Sequence, residues 1–382
     1  MKLGQIAREV KETETKPLEA GLERYVGLEH LDPDELKISR WGNIADGVSF
    51  TRKFKAGQIL FGRRRAYQRK AAVPDFDGIC SGDITVIEPI QGKVVTELLP
   101  YIIQNDSFFA YAVSESAGSL SPRVKWKHLA EYEVDLPVTD TQHKIAELMK
   151  AFDESIKAHK KNIEIEEVLI SKLEANTDEY EVVSIQNLAK SGTKNGFIDG
   201  DWIEAEYLSK DGIRLIQTGN IGIGGFIDKE DKKYIAEDTF QSLNCTEVEP
   251  GDILICRLAD PVGRACVVPN LGVKMITAVD CTILKIDQER FDVDYICFLL
   301  NKQKQLAECK KYARGSTRQR ITRSDLGSIK LKIPKLEVQQ SLAEKIANIK
   351  EIVKKEEEMV RTLKNFKKSM LSKLLHVGGD HQ

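Results

Sequence analysis

No stretch of this 382-residue chain is apolar for long enough to cross a bilayer. The opening Met1-Lys-Leu-Gly-Gln-Ile-Ala-Arg-Glu9 lacks the apolar core of a secretory signal, so the expected compartment is the cytoplasm. Basic excess is missing too: 57 Lys and Arg stand against 59 Asp and Glu, a net charge of −2. Overall charge therefore does not advertise nucleic acid, and any basic footprint must be local. The seven cysteines form no C-x-x-C pair and have no histidine at finger spacing, which argues against a zinc site or a disulfide framework. Cys80 stands alone in the first half; Cys245, Cys256, Cys266, Cys281, Cys297 and Cys309 lie in the second, and buried reduced thiols are the expectation.

Catalytic signatures are equally scarce. There is no phosphate loop (Gly315-Ser-Thr-Arg lacks its lysine), no G-x-S-x-G elbow and no H-E-x-x-H. Pro33-Asp34-Glu35-Leu36-Lys37 resembles nuclease carboxylates only superficially, because adjacent acids leave no separate strand for the second; a turn after Leu31 is expected. Gly219-Asn-Ile-Gly222-Ile-Gly224-Gly225 lacks the strand–turn–helix setting of a dinucleotide site and reads as a loop or hairpin. No catalytic residue and no metal ligand is assigned. The chain reads as a recogniser.

What is present is duplication. Gly118-Ser-Leu-Ser-Pro-Arg123, followed by Leu129, Pro137 and Gln142, returns 197 residues on as Gly315-Ser-Thr-Arg-Gln-Arg320, followed by Leu326, Pro334 and Gln339. Earlier blocks echo as well: Lys2–Ala7 in Ser184–Ala189, Gly57-Gln-Ile-Leu60 in Gly251-Asp-Ile-Leu254, and Asp83–Ile87 in Asp280–Leu284. The period is far too long for a solenoid, so a whole domain is repeated. Strands are expected at Ile59–Phe61, Ile84–Ile87 and Val134–Leu136, each bounded by breakers, and a helix over Val95–Tyr111 whose start Pro100 draws toward itself.

Each copy runs into a stretch of different character. Ile145, Met149, Phe152, Ile156, Ile163, Ile170 and Leu173 recur by threes and fours without Gly or Pro, as do Leu342, Ile346, Ile349, Val353, Val360, Leu363, Met370 and Leu374. About 33 residues at about 1.5 Å each make a rod of about 50 Å. Such a seam needs a partner helix, and the other rod, antiparallel, is the obvious one. Position 159 of the first seam is histidine, and its equivalent 356 is glutamate. Two readings stay open: a His159–Glu356 contact that sets register, or two positions at a solvated edge.

The local basic footprints sit in the repeated domains. Arg63-Arg64-Arg65-Ala-Tyr67-Gln68-Arg69-Lys70 puts five cations in eight residues. Ser119, Ser121, Arg123 and Lys125 alternate small polar and basic groups, as do Ser316, Thr317, Arg318, Gln319, Arg320 and Arg323 in the twin; Arg257 and Arg264 are weaker candidates. Arg and Gln suit base edges, whereas Ser, Thr and Lys suit phosphates. The alternative for Arg123 and Arg320 is structural, packed against their own backbone.

The order and duplication of these blocks, with Arg24-Tyr-Val-Gly-Leu-Glu-His-Leu31, Gly57–Gly62 and Asp75-Phe-Asp-Gly-Ile-Cys-Ser81, resemble the DNA-specificity subunit of type I restriction–modification systems. The resemblance implies an α+β, pseudo-two-fold chain: two similar mixed α/β target-recognition domains (1–138 and 181–335), separated by an antiparallel pair of long coiled-coil helices (139–180 and 336–376), with a tail at 377–382. It implies recognition of a bipartite asymmetric target in double-stranded DNA, and a gap set by the helices. Methyltransferase and restriction subunits, two of each, would carry S-adenosylmethionine, ATP and Mg, so this chain itself would need no cofactor. The first domain begins almost at Met1, unlike members with an N-terminal extension, which leaves the second rod to close the ring alone. The competing readings are the recognition part of a single-chain restriction–methylation enzyme, disfavoured because no methyltransferase domain precedes Gln382, and a coiled-coil protein scaffold, disfavoured by the paired basic loops.

Overall fold

The computed structural model describes residues 1–175, 177–190 and 196–375, so the expected tail at 377–382 lies outside the described residues. The chain forms two compact units, Met1–Ile163 with Lys355–Gln382, and Glu164–Lys354. Each long helix is thus divided between the units.

In the first unit an antiparallel sheet has the order Ala7–Val10, Ile84–Pro89, Ile59–Gly62, Ala71–Ala72. Ile59–Gly62 is buried throughout, which explains its uninterrupted apolar run. In the second unit Phe197–Asp199, Cys281–Leu284, Ile253–Cys256 and Ala265–Val267 follow the same order. The echoed opening blocks become the same element, a short 3-10 turn at Leu3–Gln5 and at Ile185–Leu188. A further four-stranded sheet in each unit holds one parallel pair, Tyr25 opposite Ile79 and Leu215 opposite Ile276. The duplication visible in the blocks is therefore a duplication of the antiparallel sheet; the further sheets differ, with the parallel pair central in the first unit and at the edge in the second.

Two expectations need correction. The helix foreseen over Val95–Tyr111 is two helices, Leu99–Gln104 and Asp106–Ser114. Asn105 divides them: its extended backbone (ψ 145) ends the first, and its side chain accepts from Ser107 N–H at 3.2 Å to cap the second. Val134–Leu136 is not a strand, because pairing stops at Val134: beyond the Lys2–Glu133 bridge, Val134 exchanges bonds with Met1, its N–H donating to the Met1 carbonyl and its carbonyl accepting from the Met1 amino group. Its counterpart Lys330–Ile333 does pair, along Glu181–Ser184. The turn after Leu31 falls at Pro33–Asp34, and the glycine segment 219–225 closes on itself through Gly222 N–H to Gly225 O at 2.9 Å.

The long helices run Thr139–Lys172 and Leu336–Leu374. Within the first unit they are antiparallel: Phe152 meets Phe366 edge-on at 5.8 Å, Asp153 pairs with Lys367, and His159 Nδ1 with Glu356 Oε2. Asn162 adds a 3.4 Å bond to the same carboxylate, whose pKa is drawn below the usual range chiefly by the His159 contact. Ile145, Ala146, Met149, Leu371 and Leu375 enter the first unit's core. The second seam therefore ends on Leu371 and Leu375, while the expected Leu374 is 36% exposed. The cause is drift: a straight helix of 3.6 residues per turn leaves a strict seven-residue stripe after a few turns.

A buried glutamine fastens each repeated domain to its helix. Gln142 accepts from Val95 N–H at 3.0 Å and donates to Pro137 O at 2.9 Å. Gln339 accepts from Asp292 N–H at 2.9 Å and donates to Pro334 O at 2.8 Å. All seven cysteines are free and buried, and burial pushes the Cys80, Cys266 and Cys281 thiols up to about 12. Replacing Gln339, which is 1% exposed, with leucine strands a buried N–H and two carbonyls. Urea denaturation should show a loss of about 2–3 kcal/mol, and a loss under 0.5 kcal/mol would refute the fastening role.

Candidate nucleic-acid interface

The strongest local likeness between the units is a hairpin tip. Ala117 bridges Arg123, and Arg314 bridges Arg320, each pair enclosing five residues. Gly118 (φ 115) and Gly315 (φ 105) open the tips in a backbone region that side chains disfavour, which explains the repeated glycine. Each tip packs beside the loop that leaves the central strand. Arg65 N–H donates to Pro122 O at 2.8 Å and Val124 N–H to Arg63 O at 3.0 Å; Ala259 N–H donates to Gln319 O at 2.9 Å and Ile321 N–H to Arg257 O at 3.0 Å.

An acid that sequence reasoning quoted but did not assign holds each tip. Arg123 Nε donates to Asp83 Oδ1 at 2.7 Å, and Arg320 Nε lies 2.9 Å from Asp280 Oδ1 as an ion pair. Asp83 and Asp280 are the same position of the repeat, as are Arg123 and Arg320. The matched spacing within both blocks was the signal for the pair. In the first unit Arg64 joins, donating to Ser121 Oγ at 2.5 Å and lying 3.3 Å from Asp83 Oδ2. Burial pushes the Asp83 carboxyl up, but the Arg123 and Arg64 guanidiniums outweigh it and hold the group below its ordinary value.

The basic candidates divide by placement. Ser119 and Lys125 in the first unit, and Ser316, Thr317 and Arg318 in the second, are exposed on or beside the tips; Arg314, not picked from sequence, is exposed as well. Tyr67 is 55% exposed. Gln68 and Gln319 are half-buried, as are Arg63 and Arg65, whose Nε atoms are enclosed without partners. Lys70 donates to Leu28 O at 2.6 Å. Arg69 pairs with Asp34 and Asp106, both at 2.6 Å. Arg323 begins the helix Arg323–Ser328, 3.9 Å from Asp199.

Arg257 and Arg264 face inward, and a DNA-contact role for them is withdrawn. The Arg257 side chain is 3% exposed; it donates to Ile321 O and Val279 O and pairs with Asp199 at 3.1 Å. Arg264 donates to the carbonyls of Ile221, Thr218 and Pro261 at 2.8–3.0 Å. Arg257 and Arg264 are the structural counterparts of Arg63 and Lys70, so the five-cation run has two basic counterparts in the second unit, one buried and one half-buried, and both donate to backbone carbonyls. Among the described residues no group of His, Cys, Asp and Glu is placed to hold a metal ion, and no helix is long and apolar enough to cross a membrane.

The family model for the type I restriction modification DNA specificity domain matches residues 46–167 and again 172–364. The chain belongs to this family. The specificity family's two matches follow the two repeated units. The MjaVIII type I specificity subunit of Methanocaldococcus jannaschii is 22% identical over 342 residues, 81% of this chain and 74% of that protein. The Escherichia coli EcoDI specificity subunit is 30% identical over 128 residues, but the match spans 32% of this chain and 28% of the relative. A solved chain from work on assembly and conformational transition of the type I R-M system shares the fold, with TM-score 0.63 over 98% of this chain and 96% of that one at 18% identity.

The acid clamp predicts a pH dependence. A carboxyl depressed in the folded state stabilises above its ordinary value, 3.8 for aspartate, and the contribution fades as pH falls through the lower folded value. Asp83→Asn should cost about 1 kcal/mol at neutral pH. The gap between the two proteins in urea should stay level down to about pH 5 and close in stronger acid. A gap that widens in acid would contradict the assignment.

Proposed function

We propose that this chain is the specificity subunit that selects DNA for a type I restriction–modification complex, each repeated unit reading one half of an interrupted, asymmetric duplex target. One observation carries the proposal: the same clamped hairpin tip occurs twice, on the same sheet, within both family matches. Exposed Ser119, Lys125, Ser316, Thr317 and Arg318, with Tyr67, supply contacts to phosphates and base edges. Arg123 and Arg320 hold the tips through Asp83 and Asp280. The divergent tips, Ser-Leu-Ser-Pro after Gly118 and Ser-Thr-Arg-Gln after Gly315, predict different half-sites.

The chemistry belongs to partners. Two modification subunits binding S-adenosylmethionine and two restriction subunits using ATP and Mg complete the complex in this reading, and the subunit works in the cytoplasm. The antiparallel helices act as the ruler between half-sites.

Footprinting on duplex DNA with the modification subunit bound tests the reading. Two protected blocks across an unprotected gap are expected; a single block, or none, would overturn it. Arg318→Ala should weaken the second block alone, by about 1–3 kcal/mol if the guanidinium reads a base, with the first block unchanged. Loss at both blocks would show a folding defect instead.

A further inference from the structure

The first unit contains a closed ring of charges centred on Arg69, where the second unit has Gly263. Arg69 pairs with Asp34 and Asp106, both at 2.6 Å. Asp106 pairs with Lys368 at 2.9 Å, and one helical turn away Lys364 lies 3.0 Å from Glu35, the neighbour of Asp34. Lys160 of the first long helix reaches the same Glu35 oxygen at 2.7 Å. The ring thus ties the turn at 33–35, the basic loop 63–70 and the start of helix Asp106–Ser114 to both long helices.

The backbone says what Arg69 is for. The loop turns through two left-handed residues, Arg65 (φ 54) and Arg69 (φ 57); the second unit makes the same turn through Ala259 (φ 67) and Gly263 (φ 86). Glycine adopts that conformation freely, whereas arginine adopts it at a cost. The first unit therefore carries a side chain at a position where its own second copy does without one. That guanidinium also stacks on Phe109 at 4.8 Å and turns Nε and one of its two terminal nitrogens toward carboxylates.

Resting on the specificity reading above, we propose that Arg69 and Glu35 are positioning residues that set the angle of the first recognition unit on the helix pair, and so the gap length tolerated between half-sites. Geometry supplies the reason. Gln142 and the core residues Ile145, Met149 and Leu371 fasten the unit to the helices at one end, and Tyr101, donating to Asp153 at 2.9 Å with Lys367 on the same carboxylate, is the polar contact there. Glu35 grips the helices at Lys160, two turns from Asp153 and about 10 Å along the axis, and a contact that far out resists rocking of the unit about its fastened end. Helix length then fixes the distance between half-sites, while this ring fixes how sharply other distances are refused.

The test uses the full chain with its modification subunit. Probes are duplexes carrying the two footprinted blocks with the natural gap, or with one base pair added or removed. The variants are Glu35→Gln, which keeps shape, and Arg69→Gly, which copies the second unit. Both should bind the natural duplex within about twofold of wild type, while preference for it over the altered gaps falls about fivefold or more. Unchanged gap preference in both folded variants overturns the inference. A loss at the first block with Arg69→Gly, accompanied by a shallower salt dependence, overturns it in favour of a direct phosphate contact. Failure of wild type to bind any of the three duplexes defeats the specificity reading itself, and this inference with it.

Discussion

A buried amide holds the architecture together. In each unit one glutamine near the start of a long helix satisfies a buried backbone N–H on the repeated domain and a carbonyl on the linker that leads into the helix. Left unmade, those bonds would strand polar groups in a dry interior, a cost comparable to a fair share of a domain's net stability. The direction in which each helix leaves its domain is thus tied to the domain's own core. The heptad seam can act as a spacer only because its ends are fixed this way; a helix leaving through a loose linker would transmit neither distance nor angle.

Much of this was legible from the residues. The repeat pointed to paired domains because Gly118, Arg123, Pro137 and Gln142 each recur at one offset, and each proves to do a definable job: turn, clamp, exit and fastening. The rods were legible because a glycine-free, proline-free stripe of that length has few other uses. Less was visible at single positions. Asn105 was hidden inside a helical stripe, since its break depends on a cap and not on hydrophobic spacing. Val134–Leu136 has the composition of a strand but too few partners opposite it, and pairing is not a property of one segment. Arg257 and Arg264 looked like surface cations because composition carries no information on which way a side chain faces.

The two units also show how a repeat diverges while keeping its frame. The clamp between aspartate and arginine is retained, along with the sheet order and the left-handed turn. What differs is the chemistry hung on that frame: five cations leave the central strand in the first unit, whereas in the second the charge moves to the tip at Arg314 and Arg318. Separation of scaffold from reading surface lets one side be altered without disturbing the other.

The packed thiols have a practical consequence. Every native thiol is buried, and a thiol pushed to about 11 or 12 holds almost no thiolate at neutral pH, so maleimides have little to attack. A lone cysteine introduced at an exposed tip residue such as Leu120 would become the preferred handle for a fluorophore or spin label. The natural chain therefore needs no prior removal of its own sulfurs before its motions on DNA are followed by distance measurements.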